Sequence, residues 1–331
     1  MLKLRPPPAS CAPNSTFVSL LSNESWVPGA LCLLKAMAAV RSRCPILLVV
    51  DDVTNRGTQR AIPESALATL RSAFGSGSVM PLTRLTERIS QHEARAPAAT
   101  LGRRLKQESH PSGWVQNTHG KLLLFALPGY RRAAFLDLDM VRRPATCSLN
   151  SSGGLTGTNA RAMPRMQVIV DNMDALLDEP PFSAVAAMPY SSRLFNSGVF
   201  VFEPSVAVAS ALATLSRATD KGLGSKEAGV RIRGAMEQRG TSHLSDQSVL
   251  NHFYKGRWRP LPYGYNAGKK IYMAKRELWN QMQVGAIHFV GRPKPWDVPY
   301  HPKSPPAAQL RNRLDATPLY NRWHEQCTVS G

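Results

Sequence analysis

Two carboxylates, Asp137 and Asp139, flank Leu138 directly after the apolar run Ala133-Ala134-Phe135-Leu136. A run of that kind predicts a strand covered on both faces, as in an α/β sheet, and ligands in such folds bind beyond the carboxyl ends of the strands. Two hard oxygen ligands one residue apart can share one Mg²⁺ or Mn²⁺ and leave positions open for the phosphate oxygens of a nucleotide. Asp-x-Asp also arises in ordinary turns, so the metal reading needs donors from elsewhere in the chain. The segment Ile287-His288-Phe289-Val290-Gly291-Arg292-Pro293-Lys294-Pro295-Trp296 offers them. Imidazole from His288 would complete an Asp, Asp, His set and shift the preference from Mg²⁺ toward Mn²⁺. Gly291 lets a backbone approach phosphate closely, and Lys294 is a point charge able to neutralise it. The plainer alternative is a satisfied histidine at a strand end beside a surface lysine.

These side chains need a frame, and the pattern of apolar residues supplies an α/β one. Strands are predicted over 17–21 and 45–50, with a helix over 30–40 between them, a βαβ start that ends on Asp51-Asp52. A helix over 65–74 and a short strand over 79–82 follow. Residues 91–116 are polar, basic and rich in Ala, Pro and His, and read as a long loop or partly ordered insert. An apolar helix over 121–127 is broken by Pro128-Gly129 and leads into the strand before Asp137. The Ser-, Gly- and Asn-rich stretch 147–160 reads as a loop and 168–178 as a helix or a short strand and helix. Strands over 184–187, 199–202 and 286–289 and helices over 205–219 and 245–253 complete the reading. The expected architecture is one α/β domain over 15–300 with a mixed, mostly parallel central sheet flanked by helices. Inserts fall near 91–118 and 147–183, a flexible segment covers 1–14, and 301–331 forms a C-terminal extension.

Composition narrows the function classes. With 331 residues and 43% hydrophobic content the chain can bury a sizeable core. No apolar run reaches the length of a membrane span, and no signal peptide is visible. The five cysteines are odd in number and lack metal or redox spacing, so a reduced, cytoplasmic setting is expected, with the Golgi lumen as alternative if an anchor precedes this sequence. Sequons at Asn14, Asn23 and Asn150 are then accidental. The net charge of +19 favours polyanionic partners, yet no zinc finger, recognition helix or aromatic-interleaved RNA motif accompanies it, which argues against nucleic acid.

Seven segments in register, from Phe17 to Trp296, resemble the glycogenin-like family eight glycosyltransferases. Besides Phe135 to Asp139 they include Phe195-Asn196-Ser197-Gly198-Val199-Phe200-Val201, Asp246-Gln247, Leu261-Pro262-Tyr263-Gly264-Tyr265-Asn266 and the His288 to Trp296 segment. The resemblance implies a GT-A (Rossmann-like) fold, a UDP-sugar donor, Mn²⁺ dependence and transfer with retention. It implies donor contacts by Leu20, Leu21, Ser22, Asn23, Trp26, Lys121, Leu138, Asn196, Ser197, Gly291 and Lys294, and metal ligation by Asp137, Asp139 and His288. It implies catalytic roles for Asp246, as nucleophile or stabiliser, for Gln247 through its carbonyl oxygen, and for Lys294 on the leaving diphosphate. Ordinary turn-making by Asn196 and helix capping around Asp246 are the simpler alternatives for those two.

Two departures bear on the sugar. Met188 and His243 stand where the glycogenin type carries acidic residues, which admits a different hexose, an acidic sugar or an amino sugar. The expected reaction is hexosyl or uronosyl transfer to a carbohydrate, polyol or glycoconjugate acceptor, an acidic one included; a homodimer is left open. A sugar-nucleotide-binding protein without turnover and a basic nucleic-acid binder are the alternatives, the latter expected to show steeply salt-dependent binding and no need for Mn²⁺.

Overall fold

The computed structural model describes residues 8–52, 62–95, 120–141, 173–187, 191–220, 245–300 and 316–327. A seven-stranded sheet forms its centre, in the order β3-β2-β1-β4-β7-β6-β8. Its strands are β1 (Ser15–Leu21), β2 (Ile46–Val50), β3 (Val79–Pro81), β4 (Arg132–Leu136), β6 (Ser183–Ala186), β7 (Phe195–Phe202) and β8 (Arg259–Leu261). β7 runs antiparallel to both its neighbours, and the other pairings are parallel.

Period-two alternation divides the core between the two faces of this sheet. Phe17, Leu21, Ala134, Leu136 and Val199 point to one side, where α1 (Val27–Ala39) and α2 (Glu64–Phe74) cover them. Val18, Leu20, Ala133, Phe135 and Phe200 point to the other. There they meet α3 (Thr83–Arg95), α4 (Gly120–Leu123), α5 (Val206–Asp220) and α6 (Asp246–Phe253). The central strands read as continuous apolar runs because both of their faces are buried.

A second sheet of three short strands sits beside the first, with β10 (Ile287–His288) between β5 (Met140–Val141) and β9 (Ala267–Gly268). It packs on α7 (Lys269–Ala274), α8 (Arg276–Gln281) and α9 (Thr317–Cys327) through Ile271, Trp279, Phe289, Leu319 and Trp323. The strand expected over 286–289 is its central strand β10, whereas β5, β9 and these helices are not expected from the sequence pattern. Two-residue strands are too short to show a period.

Two further expectations are corrected. Residues 91–95 close helix α3 rather than opening a loop. That helix is polar apart from Leu85 and Ile89, spaced i,i+4 and buried, and its start is held from 31 positions away: Asp52 accepts from the backbone N–H of Thr83 at 3.0 Å and from its hydroxyl at 2.6 Å. The cysteine reading also changes. Cys11 pairs with Cys44 and Cys32 with Cys327, at Cα–Cα distances of 5.0 and 4.9 Å, so all four cysteines among the described residues are in disulfides. No helix among the described residues is long and apolar enough to cross a membrane. The insert expected at 147–183 is described only from residue 173, where a 3-10 helix runs Met173–Asp178; residues 96–118, Met188, His243, Asn150 and Cys147 lie outside the described residues.

Candidate active site

Strand β4 ends at Leu136, and the chain crosses from the large sheet to the small one over the next three residues. Each side of that crossing is pinned by the backbone. Asp137 N–H donates to Gly198 O on β7 at 3.0 Å, and Phe289 N–H donates to Asp139 O at 3.0 Å. Leu138 turns inward and is buried in the core, with its carbonyl only 2.6 Å from where a Cβ on Gly29 would stand. The two aspartates consequently face the same way, into a cleft of about 250 Å³. Pairing of β5 with β10 sets His288 opposite Met140 and brings the imidazole to the aspartates.

One ligand atom from each of Asp137, Asp139 and His288 lies within 4.8 Å of the others. His288 Nε2 is 3.1 Å from Asp139 Oδ1 and 3.8 Å from Asp137 Oδ2. A chain of hydrogen bonds fixes which imidazole nitrogen carries the proton. Gly198 N–H, which can only donate, points at Asn196 Oδ1 (2.9 Å). Asn266 Nδ2 donates to that same oxygen at 2.8 Å, so Asn266 Oδ1 must face His288 Nδ1, at 2.7 Å, and accept its proton. For neutral imidazole Nε2 is then a bare lone pair aimed at a carboxylate oxygen, and Asp139 Oδ1 is buried without a hydrogen-bond partner. Two lone pairs facing each other at this distance call for a positive charge, either a proton on Nε2 or a cation between the two. Two carboxylates and an imidazole with its second nitrogen already anchored are a fitting donor set for a divalent ion.

Lysines balance the site. Lys294 Nζ donates to Asp139 Oδ2 at 2.5 Å, contacts Phe289 O at 3.4 Å and stands 4.7 Å over the ring of Trp26. Burial works against the charge on Asp139, but His288, when its Nε2 carries a proton, and Lys294 outweigh it and hold the carboxyl well below the usual carboxylate range. Lys121, on α4, does not line the cleft. It lies behind the carboxylates with Nζ 2.9 Å from Asp137 Oδ2 and 3.5 Å from Asp246 Oδ2, over the ring of Phe135. Burial would lower its pKa, and Asp137, Asp246 and Asp139 together reverse this and raise it above the ordinary lysine value.

The far wall is β7 and the start of α6. Ser245 caps α6, accepting from Ser248 N–H, and this places Asp246 and Gln247 in the first turn. Asp246 Oδ2 accepts from Ser197 Oγ at 2.7 Å. Gln247 Oε1 accepts from Ser197 N–H at 3.2 Å and from Asn196 Nδ2 at 3.1 Å. The carbonyl oxygen expected to face the sugar is therefore committed to the protein, and the group Gln247 keeps available is its amide donor.

The structure brings Trp26, Asp137, Asp139, Asn196, Ser197, Asp246, Gln247, His288, Gly291 and Lys294 around one cleft. Leu20 and Leu21 are core residues, and Asn23 is used locally, its Oδ1 accepting from Ser25 N–H at 3.0 Å at the start of a 3-10 turn. None of these three, nor Ser22, lines the cleft. Gly198 and Asn266, to which the sequence assigned no role, position His288. A Cβ on Gly198 would stand 2.3 Å from His288 Cε1 and 2.6 Å from Nδ1, so only glycine leaves room for the imidazole.

A mixed, mostly parallel sheet with this cluster at its carboxyl end is the GT-A glycosyltransferase fold. The bifunctional glycosyltransferase WbbM superposes with a TM-score of 0.51 at 13% identity, over 99% of this chain and 51% of that one. In sequence, residues 231–298 match the model of glycosyl transferase family 8. Glycogenin-2 from Homo sapiens is 31% identical over 145 residues, 41% of this chain and 25% of its own length. Glycogenin-1 from Mus musculus is 23% identical over 301 residues, 88% of this chain and 68% of its own. The chain thus spans from a quarter to about two thirds of the length of these curated relatives. Over these spans the chain is similar to the glycogenin-like family eight glycosyltransferases, and its fold is theirs.

Proposed function

We propose that this protein transfers a hexosyl or uronosyl group from a UDP-sugar to a carbohydrate, polyol or glycoconjugate acceptor, with retention and with Mn²⁺ preferred over Mg²⁺. The observation that carries the reading is the buried, unpartnered Asp139 Oδ1 facing His288 Nε2, with Asp137 completing a three-donor cluster inside a cleft. Asp137, Asp139 and His288 would hold the ion, which would supply Lewis-acid neutralisation of the diphosphate.

The chain's own groups do the rest. Lys294 brings a fixed ammonium to the cleft and shares the negative charge that develops as the sugar–diphosphate bond breaks. Gly291, at φ +80°, turns the loop that carries Lys294, with open space where a side chain would be. Trp26 offers a ring face at the cleft edge for a base. Asp246 presents a carboxylate to the sugar side with one oxygen steadied by Ser197 and Lys121, which suits either direct attack on the anomeric carbon or stabilisation of an oxocarbenium-like state. Gln247 contributes an amide N–H there.

A thermal-shift screen of nucleotide sugars with and without Mn²⁺ tests this. A ligand at a hundred times its Kd adds about 2.7 kcal/mol of stability, and a UDP-sugar is expected to do so only when Mn²⁺ is present. In Asp139→Ala, transfer and hydrolysis of that donor should disappear while circular dichroism shows the fold intact. Full turnover in that folded variant would sink the assignment.

A further inference from the structure

We propose that this chain matures in an oxidising compartment and carries an N-linked glycan on Asn14. Two independent observations lead there. The first is the cysteines: each of the four among the described residues has another at disulfide range, and the pairs join segments 33 and 295 residues apart. Cα–Cα distances of 5.0 and 4.9 Å lie within the span a disulfide bridges. Chance rarely pairs every cysteine of a set, and structural disulfides persist where glutathione and thioredoxin do not reduce them. Each forms by loss of two electrons and two protons from a thiol pair to the thiol–disulfide oxidases of such a compartment.

The second observation is where the sequons fall. Asn14-Ser15-Thr16 opens β1, with Asn14 exposed in a tight turn at φ 53° whose carbonyl accepts from Arg131 and Arg132 N–H. Asn14 thus sits one position before the Ser15↔Arg132 register pair, at the amino end of the strands. Asp137 lies five residues beyond Arg132, so at about 3.3 Å per residue a glycan on Asn14 stands roughly 20 Å from the cleft. Asn23, in contrast, has its side-chain oxygen engaged by Ser25, close to Trp26 at the cleft.

Burial of the rest of the sequon fixes the order of events. Thr16 is fully buried, its hydroxyl donating to Pro45 O at 3.1 Å, so no transferase can bind Asn-Ser-Thr in the folded protein. The glycan is therefore added before β1 enters the sheet. The Asn14 amide nitrogen displaces the diphosphate of a polyprenyl-diphosphate oligosaccharide, forming the C–N bond as the C–O bond breaks and losing one proton. Folding then leaves the modified side chain outside.

The test uses protein isolated from its source cells without reductant, with free thiols blocked by N-ethylmaleimide. Peptides are then compared before and after peptide-N-glycosidase in ¹⁸O water. The expected result is disulfide-linked peptides joining Cys11 to Cys44 and Cys32 to Cys327, and Asn14 converted to ¹⁸O-labelled aspartate. Asn14→Gln expressed in the same cells should lose one glycan-sized step on a gel with transfer activity unchanged. Alkylation of these four cysteines without prior reduction, or an Asn14 peptide found only unmodified, overturns the proposal.

Discussion

The side chains that would hold the ion depend on residues that cannot touch it. Asn266 fixes the His288 tautomer, Asn196 fixes Asn266, and Gly198 fixes Asn196 while yielding the space that the imidazole fills. Substituting Asn266 by Ala frees the ring to rotate and to take the other tautomer, and Gly198→Ala pushes it off its position. Each should weaken Mn²⁺ binding ten- to a hundredfold, about the effect of losing a partner behind a metal-binding histidine, as read by titration calorimetry on folded protein. Affinity within twofold of wild type in both variants would show that the relay does not position the ligand. Lys121 gives a second prediction at this scale. Its pKa is raised on folding, so its stabilisation is complete below the unfolded-state value of about 10.4 and is lost as pH climbs through the higher folded value. The stability gap between wild type and Lys121→Gln should therefore stay constant from neutral pH to about 10 and close only above it, as measured by denaturant titration. Asp137, Asp139, His288 and Lys294 were legible in the sequence because each belongs to a short local pattern. The relay was not, since Gly198 on β7, Asn266 in the turn before β9 and His288 on β10 meet only when those elements converge.

At the scale of elements, the sequence showed strands whose two faces are both buried, and it missed those that derive their stability from neighbours. β4 and β7 declare themselves through apolar runs, and β10 falls inside the strand expected over 286–289, whereas β5 and β9 have two residues each and pair only with β10. Helix α9 is the clearest loss. It reads as a tail, yet it braces the loop that carries Lys294. Tyr320 OH contacts Pro293 O at 3.4 Å, Lys269 Nζ donates to Pro293 O at 3.0 Å and to Tyr320 OH at 3.2 Å, and Trp323 packs on Trp296 at 5.9 Å between ring centroids. Lys269 is buried, and its pKa is lowered by that burial and by the neighbouring Lys294. Lys269→Met keeps the length of the side chain, takes the donor from Tyr320 OH and leaves Pro293 O only its long contact with Tyr320 OH, costing about 1–3 kcal/mol of stability. Because Pro293 adjoins Lys294, its KM for the sugar nucleotide should rise by a larger factor than its kcat falls. A destabilised variant with unchanged KM would detach the brace from donor binding.

For the molecule as a whole, the two disulfides do different work. Cys11–Cys44 ties the segment before β1 to the start of β2, beside Asp174, whose carboxylate accepts from Arg43 N–H at 2.8 Å. Cys32–Cys327 joins α1, which begins beside Trp26, to the end of α9, where Lys35 Nζ also reaches Cys327 O at 3.2 Å. Loop entropy alone makes the 295-residue closure worth on the order of 5 kcal/mol and the 33-residue closure about 3–4 kcal/mol. Cys327→Ser and Cys11→Ser should both shift the urea midpoint downward, and their effects should add because the sites share no partner. Kinetics separates them. Without its link to α1, helix α9 holds the Gly291–Trp296 loop less firmly, so Cys327→Ser should raise KM for the donor, whereas Cys11→Ser, at the opposite end of the strands, should leave KM unchanged in conditions where both are folded. Equal KM effects would mean that the C-terminal helix is a passive cover rather than part of the donor site's support.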